Sequence, residues 1–109
     1  GTIRQLDPKL VADRPLNYPN PFKLTTGTEI GYWLNRSIDV DLRIYTASGS
    51  EVFRKTMSAG IDDGAKTGYN KVIINQTIVG QDLPSGVYPY FLISESKVVG
   101  KGRLVIRPH

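Results

Sequence analysis

The run from Ser37 to Tyr45 alternates. Ile38, Val40, Leu42 and Ile44 fall on one side of an extended chain, and Asp39, Asp41 and Arg43 fall on the other. Period two predicts a half-buried β-strand, because successive side chains of a strand point to opposite faces. A helix would scatter the same aliphatics around its circumference. The later chain reads as further strands closing over that apolar face. Ahead of it, Thr28–Leu34 sets Ile30, Tyr32 and Leu34 against Glu29, Gly31 and Trp33. The short polar break Asn35-Arg36 predicts that this strand and the Ser37–Tyr45 strand form a hairpin.

The same reading places strands at Glu51–Met57, with Val52 and Phe53 on opposite faces, and at Tyr69–Ile74. Val87–Ile93 follows, with Tyr88, Tyr90 and Leu92 opposite Val87, Phe91 and Ile93. Pro89 has no N–H for a ladder, so an edge or a bulge is expected there. The last strand, Val98–Ile106, alternates Gly102, Leu104 and Ile106 with Arg103 and Val105. Thr46–Ser50, Asp62-Asp63-Gly64, Pro84-Ser85-Gly86 and Ser94–Lys97 carry turn chemistry. Asn75–Leu83 reads as irregular. The count is about seven short strands with no convincing helix, which predicts an all-β fold: an antiparallel β-sandwich of immunoglobulin or fibronectin type III form.

Residues 1–15 show no period and contain Asp7-Pro8 and Arg14-Pro15, where each proline disfavours helix at the residue before it. They read as a linker or lead-in from a preceding domain, with a short strand near Thr2–Leu6. The Ig-like domain is expected over 16–109. Asn17-Tyr18-Pro19-Asn20-Pro21-Phe22 has two prolines two apart and predicts a stiff, non-helical loop. Tyr18 and Phe22 are its candidate anchors on the core.

The chain has 109 residues, which fits one domain. With 39% hydrophobic and 22% charged residues it belongs with globular rather than disordered chains. Cysteine is absent, which excludes disulfides, thiolate zinc sites and cysteine nucleophiles. The formal charge is +4, with Lys and Arg scattered mostly one at a time and near an acid. That pattern reads as solubility rather than as a nucleic-acid patch. No apolar run approaches the ~20 residues of a membrane-spanning helix.

Candidate chemistry is thin. The single histidine, His109, is terminal, so a His/Cys metal site or a Ser-His-Asp relay is not expected. Asp39 and Asp41 share one strand face about 6–7 Å apart, a spacing that charged outer faces also show. Asp62 and Asp63 lack the alternating acids of a calcium loop. No catalytic residue, metal or cofactor is expected. Trp33, Tyr45 and Tyr69 are the candidate platforms for a carbohydrate.

Asn17-Tyr18-Pro19-Asn20-Pro21-Phe22 and Ser85-Gly86-Val87-Tyr88-Pro89-Tyr90, with Ile30–Leu34 and Val40–Tyr45 between them, resemble the Ig-like module related to the flagellar hook-capping protein. The pattern overlaps the C-terminal sorting domain of the type IX secretion system, common in Bacteroidetes. The likeness runs over residues 16–107. The family's Asn-Pro-Thr-Thr is replaced here by Lys23-Leu24-Thr25-Thr26, and its Trp-Asp-Gly by Ile74-Asn75-Gln76. The resemblance implies a non-enzymatic C-terminal module of a larger exported bacterial protein, extracellular or at the cell surface. Its role would be secretion sorting or attachment; the alternative is a carbohydrate-binding or spacer module of a secreted glycoside hydrolase or protease. The implied partners are the upstream domain, the secretion machinery or a cell-surface glycan; from the scattered charge no nucleic-acid partner is expected. The implied recognition patch is Lys101-Gly102-Arg103-Leu104-Val105.

Overall fold

Alternation becomes packing in two sheets. The computed structural model describes residues 14–108. Its elements are β1 (Leu16–Tyr18), β2 (Phe22–Lys23), β3 (Thr28–Leu34), β4 (Val40–Tyr45), β5 (Glu51–Met57), β6 (Gly68–Ile74), α1 (Gln76–Val79), β7 (Gly86–Ser94) and β8 (Lys97–Arg107). One sheet has three strands in the order β1-β3-β6. The other has five, in the order β2-β8-β7-β4-β5. The fold is therefore all-β. The domain boundary at residue 15 and the strand expected near Thr2–Leu6 fall at the margin of, or outside, the described residues.

Alternate residues of β3, β4, β6, β7 and the end of β8 face one shared core. Ile30, Tyr32, Leu34, Val72 and Ile74 come from the three-stranded sheet. Val40, Leu42, Ile44, Tyr90, Leu92, Leu104 and Ile106 come from the five-stranded one. Burying side chains of this size stabilises by roughly 1.5–3 kcal/mol each. Phe22, Leu24 and Leu83 add bulk from the short strands and loops. Gly64 sits at φ +99°, where an added Cβ would collide with Met57 Sδ and the Tyr32 hydroxyl. That close approach lets the Tyr32 hydroxyl donate to the Gly64 carbonyl at 2.7 Å, tying β3 to the loop that follows β5.

Four expectations change. First, β3 and β4 do not pair. β3 pairs with β1 and β6, and β4 with β5 and β7. Residues 35–39 carry the chain from one sheet to the other, because both strands have an apolar face to bury and each finds it across the core. Second, the Asn17–Phe22 loop contains two strand segments. β2 runs parallel to β8, Phe22 beside Ile106, so the ladder is not purely antiparallel. Third, the pairing steps from Ile44–Phe53 to Tyr45–Glu51. Val52 is the extra residue of a β-bulge, and both Val52 and Phe53 pack on the core rather than on opposite faces. Fourth, Asn75–Leu83 contains a helical turn. Asn75 Oδ1 accepts from Ile78 N at 2.8 Å, and Gly80 closes the turn at φ +81°, the side-chain N-cap and left-handed C-cap that short helices need.

The strand with Pro89 behaves as its sequence requires. β4 pairs with β7 only from Tyr90 onward, so Pro89 faces β8 on one side and no ladder on the other.

Candidate functional site

The Asn17–Phe22 motif is a joint between the sheets. The Tyr18–Pro19 and Asn20–Pro21 peptide bonds are cis. The buried Thr28 hydroxyl donates to the Pro19 carbonyl at 2.7 Å and accepts from Asn17 Nδ2 at 3.3 Å. Asn20 reaches the far sheet: its Nδ2 donates to the Arg103 carbonyl at 3.0 Å, and its Oδ1 accepts from Val105 N at 2.8 Å. One side chain thus takes up a donor and an acceptor of β8, as a neighbouring strand would. Phe22 is buried and anchors the joint as expected. Tyr18 is not an anchor; it is 83% exposed, because its register opposite Glu29 turns it to the outer face.

The second motif also closes the fold. Ser85 and Gly86 turn the chain into β7, Val87 lies on the outer face, and Tyr88 is buried with its hydroxyl donating to the Pro84 carbonyl at 2.6 Å. Burial, then the nearby Asp82 charge, pushes the Tyr88 hydroxyl pKa up.

Of the proposed recognition patch, Gly102 and Leu104 face the core and Lys101, Arg103 and Val105 face outward, by their pairing with Tyr90, Tyr88, Phe91, Pro89 and Val87. Gly102 is required by packing. An added Cβ would stand 2.5 Å from Cζ and 2.7 Å from Cε2 of the fully buried Tyr90 ring. The backbone of β8 at 103 and 105 is already bonded to Asn20, so strand addition by a partner at that point would have to displace it.

Trp33 and Tyr69 face each other directly across β3 and β6. They are 51% and 60% exposed. Tyr69 leans over Gly31, where an added Cβ would meet its hydroxyl and lie 2.9 Å from its Cζ. Leu16 and Tyr18 continue the same face through their pairing with Gly31 and Glu29, bordering a shallow groove of about 270 Å³. Tyr45 does not belong to this group. It lies on the other sheet and packs edge-to-face on Phe91, ring centroids 5.7 Å apart.

The carboxylates serve the backbone. Asp39 Oδ1 accepts from Ala59 N at 2.8 Å, and Asp62 Oδ2 from Ser58 N at 2.8 Å. Asp41 pairs with Arg43 at 3.1 Å; that hydrogen bond, then one the guanidinium donates to Tyr45, raises the Arg43 pKa further. Among the described residues, no three His, Cys, Asp or Glu side chains converge as a metal site would need, and no helix is long and apolar enough to cross a membrane.

Sheet register also redistributes the charge. A row across four strands carries Arg54, Arg43, Phe91 and Lys101 on the outer face of the five-stranded sheet. Arg103, Arg107 and Lys23 lie on the same face. Cations spread thinly along the chain are therefore neighbours in space, which alternation alone did not disclose.

No family model and no curated protein matches this chain. Among solved structures, the fold is similar to part of the alkylpurine DNA glycosylase AlkC of Pseudomonas fluorescens, bound to DNA containing an abasic site analogue. The TM-score is 0.53 at 11% identity, over 87% of this chain and 29% of that one. At that identity the likeness is one of fold alone, and this chain spans less than a third of the glycosylase's length.

Proposed function

We propose that this chain is a non-catalytic C-terminal module of a larger exported bacterial protein, acting in secretion sorting or cell-surface attachment, with an Ig or fibronectin type III sandwich as its fold. The strand order β1-β3-β6 over β2-β8-β7-β4-β5 is what such a sandwich would have, with its first strand divided between the sheets. The hydroxyl of Tyr88 bonding back to Pro84 matches the corner tyrosine of those folds. The observation that carries the functional reading is the use of the two resemblance motifs: Asn17–Phe22 and Ser85–Tyr88 are both spent on joining and closing the sheets, as in a free-standing module. Among the described residues, Asp39 and Asp62 accept from backbone amides and Asp41 pairs with Arg43, which supports a structural role for these three carboxylates.

The test is a fusion. Residues 16–109 are appended to a reporter in a type IX-competent bacterium. The reporter is expected in the medium or on the cell surface; retention in the periplasm refutes the sorting role.

A second reading, a carbohydrate-binding module, is favoured by the Trp33–Tyr69 pair. Both rings are more than half exposed and stand side by side on one sheet face, an apolar surface suited to the C–H face of a sugar. Retention on insoluble polysaccharide, lost on Trp33→Ala, supports it. Equal retention of the variant refutes it.

A further inference from the structure

The formal charge of the whole chain is +4. The outer face of the five-stranded sheet holds six cations, Lys23, Arg43, Arg54, Lys101, Arg103 and Arg107, against two acids, Asp41 and Glu51. That surplus of four equals the net charge of the chain. Elsewhere, the described residues balance six Lys and Arg against six Asp and Glu. Asp41 and Glu51 are bonded to their own strand neighbours, Arg43 at 3.1 Å and Arg54 at 2.9 Å. Among the described residues, Lys23, Lys101, Arg103 and Arg107 have no acidic partner within ion-pair distance.

Geometry makes these charges act together. Alternate residues of one strand stand about 7 Å apart and neighbouring strands about 4.8 Å apart. Lys101 to Arg107 therefore spans about 20 Å along β8. Each cation lies within about one Debye length, ~8 Å at physiological salt, of another. A face with a surplus of positive charge raises the local concentration of a polyanion and steers it in. The face does not offer stacking platforms for bases. Its two rings, Tyr45 and Phe91, are half-buried and packed on each other, while the exposed Trp33 and Tyr69 are on the opposite sheet.

We propose that the outer face of the five-stranded sheet binds an acidic, uronate-bearing polysaccharide, whose carboxylates meet Lys101, Arg103, Arg107 and Lys23. The inference goes beyond the sorting reading, and either can fail without the other: this surface is assayed on the purified chain, sorting in the cell.

The experiment measures affinity of the full chain for polygalacturonate at 50 mM and 200 mM salt, beside dextran and a single-stranded oligothymidylate of matched charge. Polygalacturonate binding is expected to weaken severalfold with salt, and dextran binding to be absent. The pair Lys101→Glu with Arg103→Glu, both exposed and checked by thermal unfolding, is expected to lose at least tenfold. Lys66→Glu with Lys71→Glu makes the same change in net charge on other faces and is expected to lose less than twofold. Lys101→Gln with Arg103→Gln replaces the reversal pair if that pair unfolds, with an expected loss of at least threefold. Absence of polygalacturonate binding at 50 mM salt, or equal loss from both reversal pairs, overturns the proposal. Tighter binding of the oligothymidylate overturns it in favour of a nucleic acid.

Discussion

Asn20→Ala removes one side chain that serves two bonds, and its cost can be worked from the structure. Nδ2 to the Arg103 carbonyl is 3.0 Å, and Val105 N to Oδ1 is 2.8 Å. Each such bond contributes about 0.5–1.5 kcal/mol net. Both are solvent-exposed, so water can take over the freed backbone groups, and the total falls at about 1–2 kcal/mol. For a domain of this size that lowers the melting temperature by about 5–15 °C. Asn17→Ala, in the same motif, removes only a 3.3 Å bond to Thr28 and is expected to cost less than about 0.5 kcal/mol. Urea unfolding and calorimetry on the two variants decide it. If Asn20→Ala lies within about 0.3 kcal/mol of the parent chain, or if Asn17→Ala costs more, Asn20 is not the pin that joins the first sheet to β8.

Other outcomes follow from the same contacts. Tyr32 and Tyr90 are both buried, but only the Tyr32 hydroxyl has a partner, whereas the Tyr90 hydroxyl has none among the described residues; Tyr32→Phe should cost about 1–3 kcal/mol and Tyr90→Phe should be neutral or stabilise by about 1 kcal/mol in urea unfolding. Gly102→Ala presses a methyl into the buried Tyr90 ring and should destabilise by about 1–3 kcal/mol, a loss that Tyr90→Leu partly relieves in a double-mutant cycle. Burial pushes the Tyr90 hydroxyl up from 10.0 to about 12. A raised folded-state value means stability fully present below pH 10.0 and lost as pH rises through about 12. Alkaline unfolding followed by circular dichroism should therefore begin above pH 10.0, with a shallower decline in Tyr90→Phe. A chain that holds its stability unchanged to pH 12 contradicts the burial of that hydroxyl.

The strands were legible because alternation is local. Ile30, Tyr32 and Leu34 declare a face within seven residues, and the structure keeps the Thr28–Leu34 bounds unaltered. Sheet membership was not legible, because it depends on which partner each face finds across the core. Asn35-Arg36 carries the same polar signal whether the chain turns back as a hairpin or crosses to the second sheet. β1 and β2 are three and two residues long, too short for a period to register beside prolines. The helical turn had a readable signal, Asn75 followed by Gly80, but four residues carry no apolar stripe. The candidate surfaces divide in the same way. Trp33 and Tyr69 were legible as outward residues, while their direct pairing, and the gathering of Arg43, Arg54, Lys101 and Arg103 on one face, are matters of register between strands. That Tyr45 lies on the other sheet from Trp33 and Tyr69 is a matter of the same register.

The most direct measurement is where a folded reporter goes when it carries residues 16–109. In a type IX-competent strain the reporter should be recovered from the medium or the outer surface, and in a strain lacking the translocation machinery it should stay in the periplasm. A reporter that stays periplasmic in both strains, although its domain unfolds cooperatively in vitro, contradicts the account.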